Sequence, residues 1–253
     1  MTNVDDMAAR LIISRQGGTP LPWQEALPGD HDEAYAVQDA TLAPLGRIGG
    51  WKVGAKTPFA EPTCAPLPVS GLVTSGSRLG AGFRLRGVEV EVALRVRRAL
   101  GGEDAVLPDR DLSHAFDAVF PVLEIVETRL DGWRESAPLS QLADLQSHGA
   151  LVLGPVSSVA PFSMDFGNVV AELSFDGQPV AQTVAGNPAG SLWRLIRWLM
   201  NHCAERRMPL EPGQIVTTGS FTGIVFAEAG TRVRARLAGI GEVEARFDLV
   251  HHT

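Results

Sequence analysis

The chain has 253 residues, of which 45% are hydrophobic and 20% are charged, and it carries a formal net charge of −7. These values fit a soluble globular protein with one large domain, or a main domain with a small appendage. The acidic balance, without a basic stripe, argues against a nucleic-acid or anionic-membrane partner. Every apolar stretch is also too short to span a membrane.

The two cysteines, Cys64 and Cys203, are far apart in the sequence and have no metal-binding or redox spacing. They could form one disulfide. Because no signal peptide is recognisable, however, we expect the protein to be cytoplasmic, where cysteines stay reduced.

Helical spacing of apolar residues predicts a first helix over residues 4–15, and a second helix with Asp30 or Asp32 as its N-cap. From Ile48 onward, glycines flank a short predicted strand that contains Lys52. By spacing alone, Lys52 is a surface lysine whose stem covers apolar area.

Strict alternation of apolar and polar residues predicts a β-strand over residues 87–94. Glu89 and Glu91 share one face of this strand, and valines line the other. The octapeptide by itself favours a half-solvated sheet edge. If the strand is instead enclosed, two adjacent carboxylates need a cation, a shared proton or open water.

A second unusual acid, Glu124, lies within an otherwise apolar predicted strand over residues 120–126. A buried carboxylate is seldom left unpaired, because burying an uncompensated charge costs several kcal/mol. Its partner is either Arg129 or a cation shared with Glu89 and Glu91. Just before this strand, the sequence predicts a short helix capped by Asp111.

Strands outnumber helices in the second part of the chain. A polar loop over residues 143–149 precedes a strand, and two further strands are predicted over 169–175 and 178–184. A long helix is predicted from Asn187, its N-cap, with Pro188 in the first turn, through Arg207. A strand with a hydroxyl- and glycine-rich turn around Ser220 follows, and a hairpin of 232–237 with 242–247 closes the chain. We therefore expect an α+β fold with a β-rich, partly rolled sheet.

Taken together and in order, several segments resemble one known group of enzymes. The resemblance is to the 2-hydroxypenta-2,4-dienoate (2-keto-4-pentenoate) hydratases and 4-oxalocrotonate decarboxylases of the fumarylacetoacetate hydrolase superfamily. It covers nearly the whole chain, and the segments that carry it are 34–38, 50–54, 88–94, 122–126, 186–188 and 212–220. It implies a mixed rolled sheet with an N-terminal helical segment, residues 1–47, packed on a catalytic domain of residues 48–253.

The resemblance also implies a divalent cation, Mg²⁺ or Mn²⁺, held by Glu89, Glu91 and Glu124. Three carboxylates without Cys or His suit these hard cations better than Zn²⁺ or Cu²⁺. Lys52 becomes the candidate for proton transfer or enolate stabilisation, with a pKa lowered by its surroundings. The implied groups that orient water or substrate are Asp144, Ser147 and Ser220.

The implied reaction is the addition of water to a 2-hydroxy-2,4-dienoate to give a 4-hydroxy-2-oxo acid, as in meta-cleavage catabolism of aromatic compounds. The alternatives are a 4-oxalocrotonate-type decarboxylase, an acylpyruvate C–C hydrolase using His114 or His148, and a binding module. Two departures from the family pattern leave substrate and reaction open: Leu145, where many hydratases carry Asn, and Val69, where the family often has an acid. The partners implied are a small 2-oxo or 2-hydroxydienoate substrate and further copies of the chain in a homo-oligomer.

Overall fold

The structure is a computed structural model that describes residues 3–249. Within this range the α-helices are α1 (Asn3–Arg15), α2 (His31–Leu42), α3 (Asp109–Ser113), α4 (Pro138–Ala143) and α5 (Leu192–Glu205). The strands up to the middle of the chain are β1 (Leu21–Pro22), β2 (Ile48–Gly54), β3 (Thr63–Pro68), β4 (Leu72–Thr74), β5 (Arg78–Leu79), β6 (Gly87–Val96), β7 (Phe116–Val126) and β8 (Leu130–Asp131). Those that follow are β9 (His148–Leu153), β10 (Val170–Phe175), β11 (Gln178–Val184), β12 (Ile215–Thr217), β13 (Val225–Phe226), β14 (Arg232–Leu237) and β15 (Gly241–Phe247).

The larger of the two main sheets is built around β6 and β7. Its strand order is β3-β2-β12-β6-β7-β9-β4, and β13 pairs with β6 beside this path. β6 and β7 are antiparallel, with Glu89 directly opposite Glu124. β12 joins β6 to β2, and its Thr217 lies opposite both Ala93 and Lys52. Because directly opposed residues share a face of the sheet, this register places the three glutamates, Thr217 and Lys52 on the same face.

A second sheet covers the other face of β6 and β7. Its order is β11-β10-β14-β15-β5, and the closing hairpin β14–β15 lies where the sequence predicts it. The valines of β6 are fully buried in one core with the inward residues of this hairpin: Val88, Val90, Val92, Val233, Ala235, Val243 and Ala245. Alternating strands are expected to pack in this way, since each sheet has one apolar face.

The N-terminal helices pack on the same core through buried residues such as Met7, Leu11 and Val37. Asp30 is the N-cap of α2, because its carboxylate accepts a hydrogen bond of 2.9 Å from the Glu33 backbone N–H. This confirms one of the two predicted caps. The division of the chain at residues 47 and 48 stays a prediction.

Two helix starts predicted from sequence are wrong. The helix expected from Asn187 begins at Leu192, because Asn187 accepts from the Ala189 N–H and so forms a local turn. Gly190 then has a φ of 72°, outside the helical region. The helix expected to be capped by Asp111 begins at Asp109, with Asp111 inside its first turn and no side-chain cap.

The sequence left a disulfide between the two cysteines possible and predicted no membrane-spanning segment. Cys64 and Cys203 are both buried and free, so the possible disulfide between them is absent. Between residues 3 and 249, no helix has both the length and the apolar character needed to cross a membrane.

At Gly50 on β2, the neighbouring strand β12 leaves no space for a side chain. A Cβ added at Gly50 would lie 2.2 Å from the Ile215 carbonyl oxygen on β12, whereas a Cβ at Gly54 of the same strand would meet nothing within 4 Å. We expect Gly50→Ala to lower the free energy of unfolding by about 2 kcal/mol or more, because backbone must move. Gly54→Ala is the matched control for chemical denaturation, and equal midpoints for the two variants would contradict the expectation.

Candidate active site

Side chains from four adjacent strands meet on one face of the larger sheet. Glu89 and Glu91 come from β6, Glu124 from β7, Lys52 from β2 and Thr217 from β12. A cavity of about 850 Å³ opens beside them and is lined by Lys52, Glu89 and Glu91. Glu91 and Glu124 are buried and Glu89 is partly buried, so the solvated sheet edge that the octapeptide favours is wrong.

Glu124 is an ionised carboxylate enclosed by the protein. Its Oε1 accepts a hydrogen bond of 2.9 Å from Lys52 Nζ and lies 3.0 Å from His148 Nδ1. Its Oε2 is buried and has no hydrogen-bond partner among the described residues. Burial raises the pKa of this carboxyl, but the charge of Lys52 and the contact with His148 outweigh it and hold the pKa below its ordinary value.

The pKa values of Glu91 and Glu89 are shifted in the opposite direction, upward. Burial, followed by repulsion from Glu89 and Glu124, raises the pKa of Glu91 to about 8. Its Oε2 accepts hydrogen bonds from the Thr217 hydroxyl and, at 2.9 Å, from the Gly219 N–H. The pKa of Glu89 is also raised, by burial and by Glu124, although Lys52 opposes this. The cluster therefore holds more carboxylates than its one lysine can balance.

This donor set fits a divalent cation. Carboxylate oxygens are the ligands that Mg²⁺ and Mn²⁺ prefer, and the buried Glu124 Oε2 has no protein donor to satisfy it. In the part of the chain described, however, no three His, Cys, Asp or Glu side chains are already arranged to hold a metal ion. Metal binding by Glu89, Glu91 and Glu124 thus stays a prediction.

Lys52 departs from two sequence-based expectations. Its side chain is only 13% exposed, so it is not a surface lysine. Burial lowers its pKa, but the attraction of Glu124, Glu89 and Glu91 outweighs burial, and the pKa is raised rather than lowered. Lys52 is therefore a protonated cation that donates to Glu124 and, at 3.2 Å, to the Gln146 carbonyl.

The remaining candidates separate into two groups. Ser147 and Ser220 line the cavity, whereas Asp144 is not among its lining residues. The Asp144 carboxylate is buried and is 2.5 Å from Arg129 Nε, and it also accepts from the Arg129 N–H at 3.0 Å. Arg129 is thus the partner of Asp144, and the suggested pairing of Arg129 with Glu124 is wrong.

The loop after Asp144 has an unusual backbone. The backbone φ values are 49°, 49° and 57° at Leu145, Gln146 and Ser147. This is a left-handed conformation that residues other than glycine rarely adopt. This run directs the Gln146 carbonyl to Lys52, and Ser147 Oγ accepts a hydrogen bond of 2.9 Å from Trp133 Nε1. Strain of this kind concentrates at functional sites. Leu145 itself is fully buried, and neither it nor Val69 lines the cavity.

Sequence reasoning missed His148, Thr217 and Gly219 as neighbours of the glutamates. His148 lies within the predicted polar loop of residues 143–149, and the two others directly precede Ser220, so the sequence indicates these segments but not their contacts with the glutamates. The information that was lacking is strand register, which pairs Thr217 with Lys52 and brings its hydroxyl to Glu91.

Residues 50–248 match the family described as "Fumarylacetoacetate (FAA) hydrolase C-terminal". The protein named 2-keto-4-pentenoate hydratase 2 from Dechloromonas aromatica (strain RCB) is 30% identical over 95% of both chains. The 2-hydroxyhexa-2,4-dienoate hydratase of Comamonas testosteroni is 26% identical, over 79% of this chain and 78% of its own.

Among solved structures, the 4-oxalocrotonate decarboxylase from Pseudomonas putida G7, complexed with magnesium and adipate, is similar with a TM-score of 0.83. It is 21% identical, and the match covers 96% of this chain and 97% of that one. At this identity the likeness concerns the fold. It confirms the predicted α+β architecture with its mixed, rolled sheet.

The Asp144–Arg129 contact predicts a stabilising role that can be measured. We expect Asp144→Asn to lower the free energy of unfolding by about 3 kcal/mol, because it leaves the buried Arg129 charge uncompensated. The control is Asp117→Asn, which removes the partly exposed pair with Arg95 and should cost less than about 1 kcal/mol. Equal losses in urea denaturation would show that the buried pair carries no special weight.

Proposed function

Since this chain belongs to the fumarylacetoacetate hydrolase family, we propose that it is a divalent-metal-dependent hydratase of 2-hydroxy-2,4-dienoates. The observation that carries the proposal is the cluster of Glu89, Glu91 and Glu124 around Lys52 at the wall of a large cavity. Relatives named as 2-keto-4-pentenoate and 2-hydroxyhexa-2,4-dienoate hydratases support it. In the reaction, the dienol loses its O2–H proton and gains a proton at C5, which gives a 2-oxo-3-ene. Water then adds its hydroxyl at C4 and its proton at C3.

In this proposal Glu89, Glu91 and Glu124 hold Mg²⁺ or Mn²⁺. When bound, such a cation supplies Lewis-acid stabilisation for negative charge on the carboxylate and 2-oxygen of the substrate. The structure supports the choice of ligands through their shared face and their excess of negative charge. Thr217 and Gly219 fix the direction of Glu91, while His148 and Lys52 do the same for Glu124.

Lys52 is the group that stabilises the enolate. An ammonium has three N–H donors, and two of them are directed to Glu124 and the Gln146 carbonyl. The third has no partner among the described residues, and Lys52 lines the cavity. The raised pKa keeps Nζ protonated, so Lys52 donates a hydrogen bond from Nζ to negative charge that develops on the substrate.

The serines and Asp144 have supporting roles in this proposal. Ser147 Oγ accepts from Trp133, so its own hydroxyl proton remains available to orient substrate or water. Ser220 lines the same cavity beside Glu89. Asp144 acts indirectly, since its ion pair with Arg129 holds the loop that carries Gln146 and Ser147.

The geometry favours hydration over C–C hydrolysis. A hydrolase of this superfamily would need a histidine that activates water within the cavity. His148 contacts Glu124, but it is fully buried and does not line the cavity. His114 stacks on Phe162 and is also outside the lining.

The hydratase proposal predicts a direct spectroscopic result. Purified protein with Mg²⁺ should remove the dienol absorbance of 2-hydroxypenta-2,4-dienoate and produce 4-hydroxy-2-oxopentanoate. Chelation by EDTA should abolish turnover, and added Mg²⁺ or Mn²⁺ should restore it. Carbon dioxide released from oxalocrotonate, with no dienoate consumed, would point to the decarboxylase; consumption of neither compound would reject both activities.

Glu91→Gln tests the carboxylate site. The amide keeps the size of the side chain and can still accept from Gly219, so we expect the thermal midpoint to change little. Loss of one anionic ligand should lower Mg²⁺-dependent turnover by about a hundredfold or more. The control is Glu211→Gln at an exposed position. Full activity in Glu91→Gln would reject the three-carboxylate site.

A further inference from the structure

The segment after β12, residues 218–222, lies against β6 on both sides of Glu91, and we call it the β12 turn. The Phe221 N–H donates at 2.8 Å to the β6 carbonyl one residue before Glu91. The Thr218 hydroxyl donates at 3.2 Å to the carbonyl one residue after it. Between these contacts, the Gly219 N–H donates to Glu91 Oε2 at 2.9 Å. The position of the β12 turn therefore decides where this carboxylate is held.

Asn187 holds the β12 turn from the side opposite Glu91. Its Nδ2 donates to the Thr218 carbonyl at 2.8 Å and to the Gly219 carbonyl at 2.9 Å. The Thr218 carbonyl and the Gly219 N–H belong to one planar peptide unit, in which they point in roughly opposite directions. Asn187 and Glu91 therefore bind the two ends of the same peptide unit.

The amide of Asn187 has no donor left for a substrate. A side-chain amide has two N–H donors, and both are directed to the β12 turn. Its Oδ1 accepts a hydrogen bond of 3.0 Å from the Ala189 N–H. Although Asn187 lines the cavity, its hydrogen bonds thus act on the turn and not on the bound molecule.

The segment that carries Asn187 is itself fixed against the β12 turn. A Cβ added at Gly186 would lie 2.0 Å from the Phe221 carbonyl oxygen, so only glycine permits this approach. The Thr183 hydroxyl donates to the same carbonyl at 2.7 Å. Ala185 has a φ of 53°, a backbone conformation that costs free energy and persists only where the surrounding structure imposes it. The end of β11 therefore holds Asn187 at a fixed place beside the turn.

From these contacts we infer that Asn187 is a positioning residue for the acid cluster. By holding the peptide unit between Thr218 and Gly219, it aims the Gly219 N–H at Glu91 and fixes this carboxylate for a divalent cation. The last step rests on the proposed function, in which Glu91 is a metal ligand. The first step, from Asn187 to the direction of Glu91, does not.

Cation affinity measures this role without turnover. Leucine has the branched shape of asparagine but no donor, so Asn187→Leu releases the peptide unit. Mn²⁺ is titrated into metal-free protein, and the free ion is measured by electron paramagnetic resonance. We expect Asn187→Leu to bind Mn²⁺ about tenfold more weakly than the wild type, because groups that orient a metal ligand change affinity by about this factor. Equal affinities would overturn the inference.

Gln38→Met is the matched control. The buried Gln38 Nε2 also donates to two backbone carbonyls, those of Cys64 at 3.1 Å and Leu142 at 2.7 Å. Gln38 lies outside the cavity lining, so its replacement removes similar hydrogen bonds without releasing the β12 turn. We expect this variant to keep the wild-type affinity for Mn²⁺. The same loss in both variants would mean that lower stability is the cause, and the inference would fail.

Hydrogen exchange locates the change in the metal-free protein. The Gly219 and Phe221 N–H groups are hydrogen-bonded to β6 and its Glu91 side chain, which protects them from exchange. Peptides that cover residues 217–222 should exchange about tenfold faster in Asn187→Leu, because two hydrogen bonds to the turn are lost. Gln38→Met should leave these peptides unchanged. Wild-type exchange of this segment in Asn187→Leu would contradict the inference.

The two readouts separate failure of the inference from failure of the proposed function. If the wild type binds Mn²⁺ and hydrates the dienoate, but Asn187→Leu keeps wild-type affinity and exchange, only the inference fails. If the wild type binds no Mn²⁺, the proposed metal site fails. Faster exchange confined to residues 217–222 in Asn187→Leu then supports Asn187 as the residue that positions Glu91, and unchanged exchange overturns it.

Discussion

The pairing of Glu89 with Glu124 across β6 and β7 is the constraint on which the site depends. Like charges directly opposite each other destabilise a sheet, and burial strengthens their repulsion. Lys52 on β2 offsets part of this repulsion. The short strand β12 lies between β2 and β6 and pairs with both, so it holds β2, β12 and β6 in register. A slip of one residue would turn the carboxylates into the apolar core, so the packing of the valines also maintains the chemistry.

Backbone groups complete what the side chains begin. The Gly219 N–H reaches Glu91 from a turn in which the glycine has a φ of 86°, a conformation that glycine adopts readily. The left-handed run at Leu145, Gln146 and Ser147 is costlier, and the buried Asp144–Arg129 pair lies directly before it. Rigid parts of the fold thus stabilise the loop whose carbonyl orients Lys52.

The cavity combines a highly charged end with an apolar wall. This division suits a 2-oxo acid, which has its oxygens at one end and carbon at the other. A hydratase and a decarboxylase of one family can share the acid end, because both reactions develop negative charge on the same oxygen. The lining of the cavity also includes Trp133, Leu139 and Leu142 of α4, and Ile224, which directly precedes β13.

The strands and the amphipathic helices were predictable from the sequence because their periodicity is local. Residues 87–94 and the closing hairpin show the alternation of half-buried strands, and Asp30 marks its helix start through a neighbouring N–H. The three glutamates were identified as one site through the family resemblance. Local patterns failed at Asn187 and Asp111, where side chains that resemble helix caps serve other turns or lie within the helix.

Only the tertiary structure decided the contacts and protonation of the site. The partner of Glu124 is Lys52 rather than Arg129, and Asp144 is enclosed with Arg129 rather than exposed to the cavity. The pKa of Lys52 rises because three carboxylates from two strands outweigh burial. Charge interactions depend on distance through space, and in a sheet that distance is determined by strand order and register, which join residues far apart in the chain.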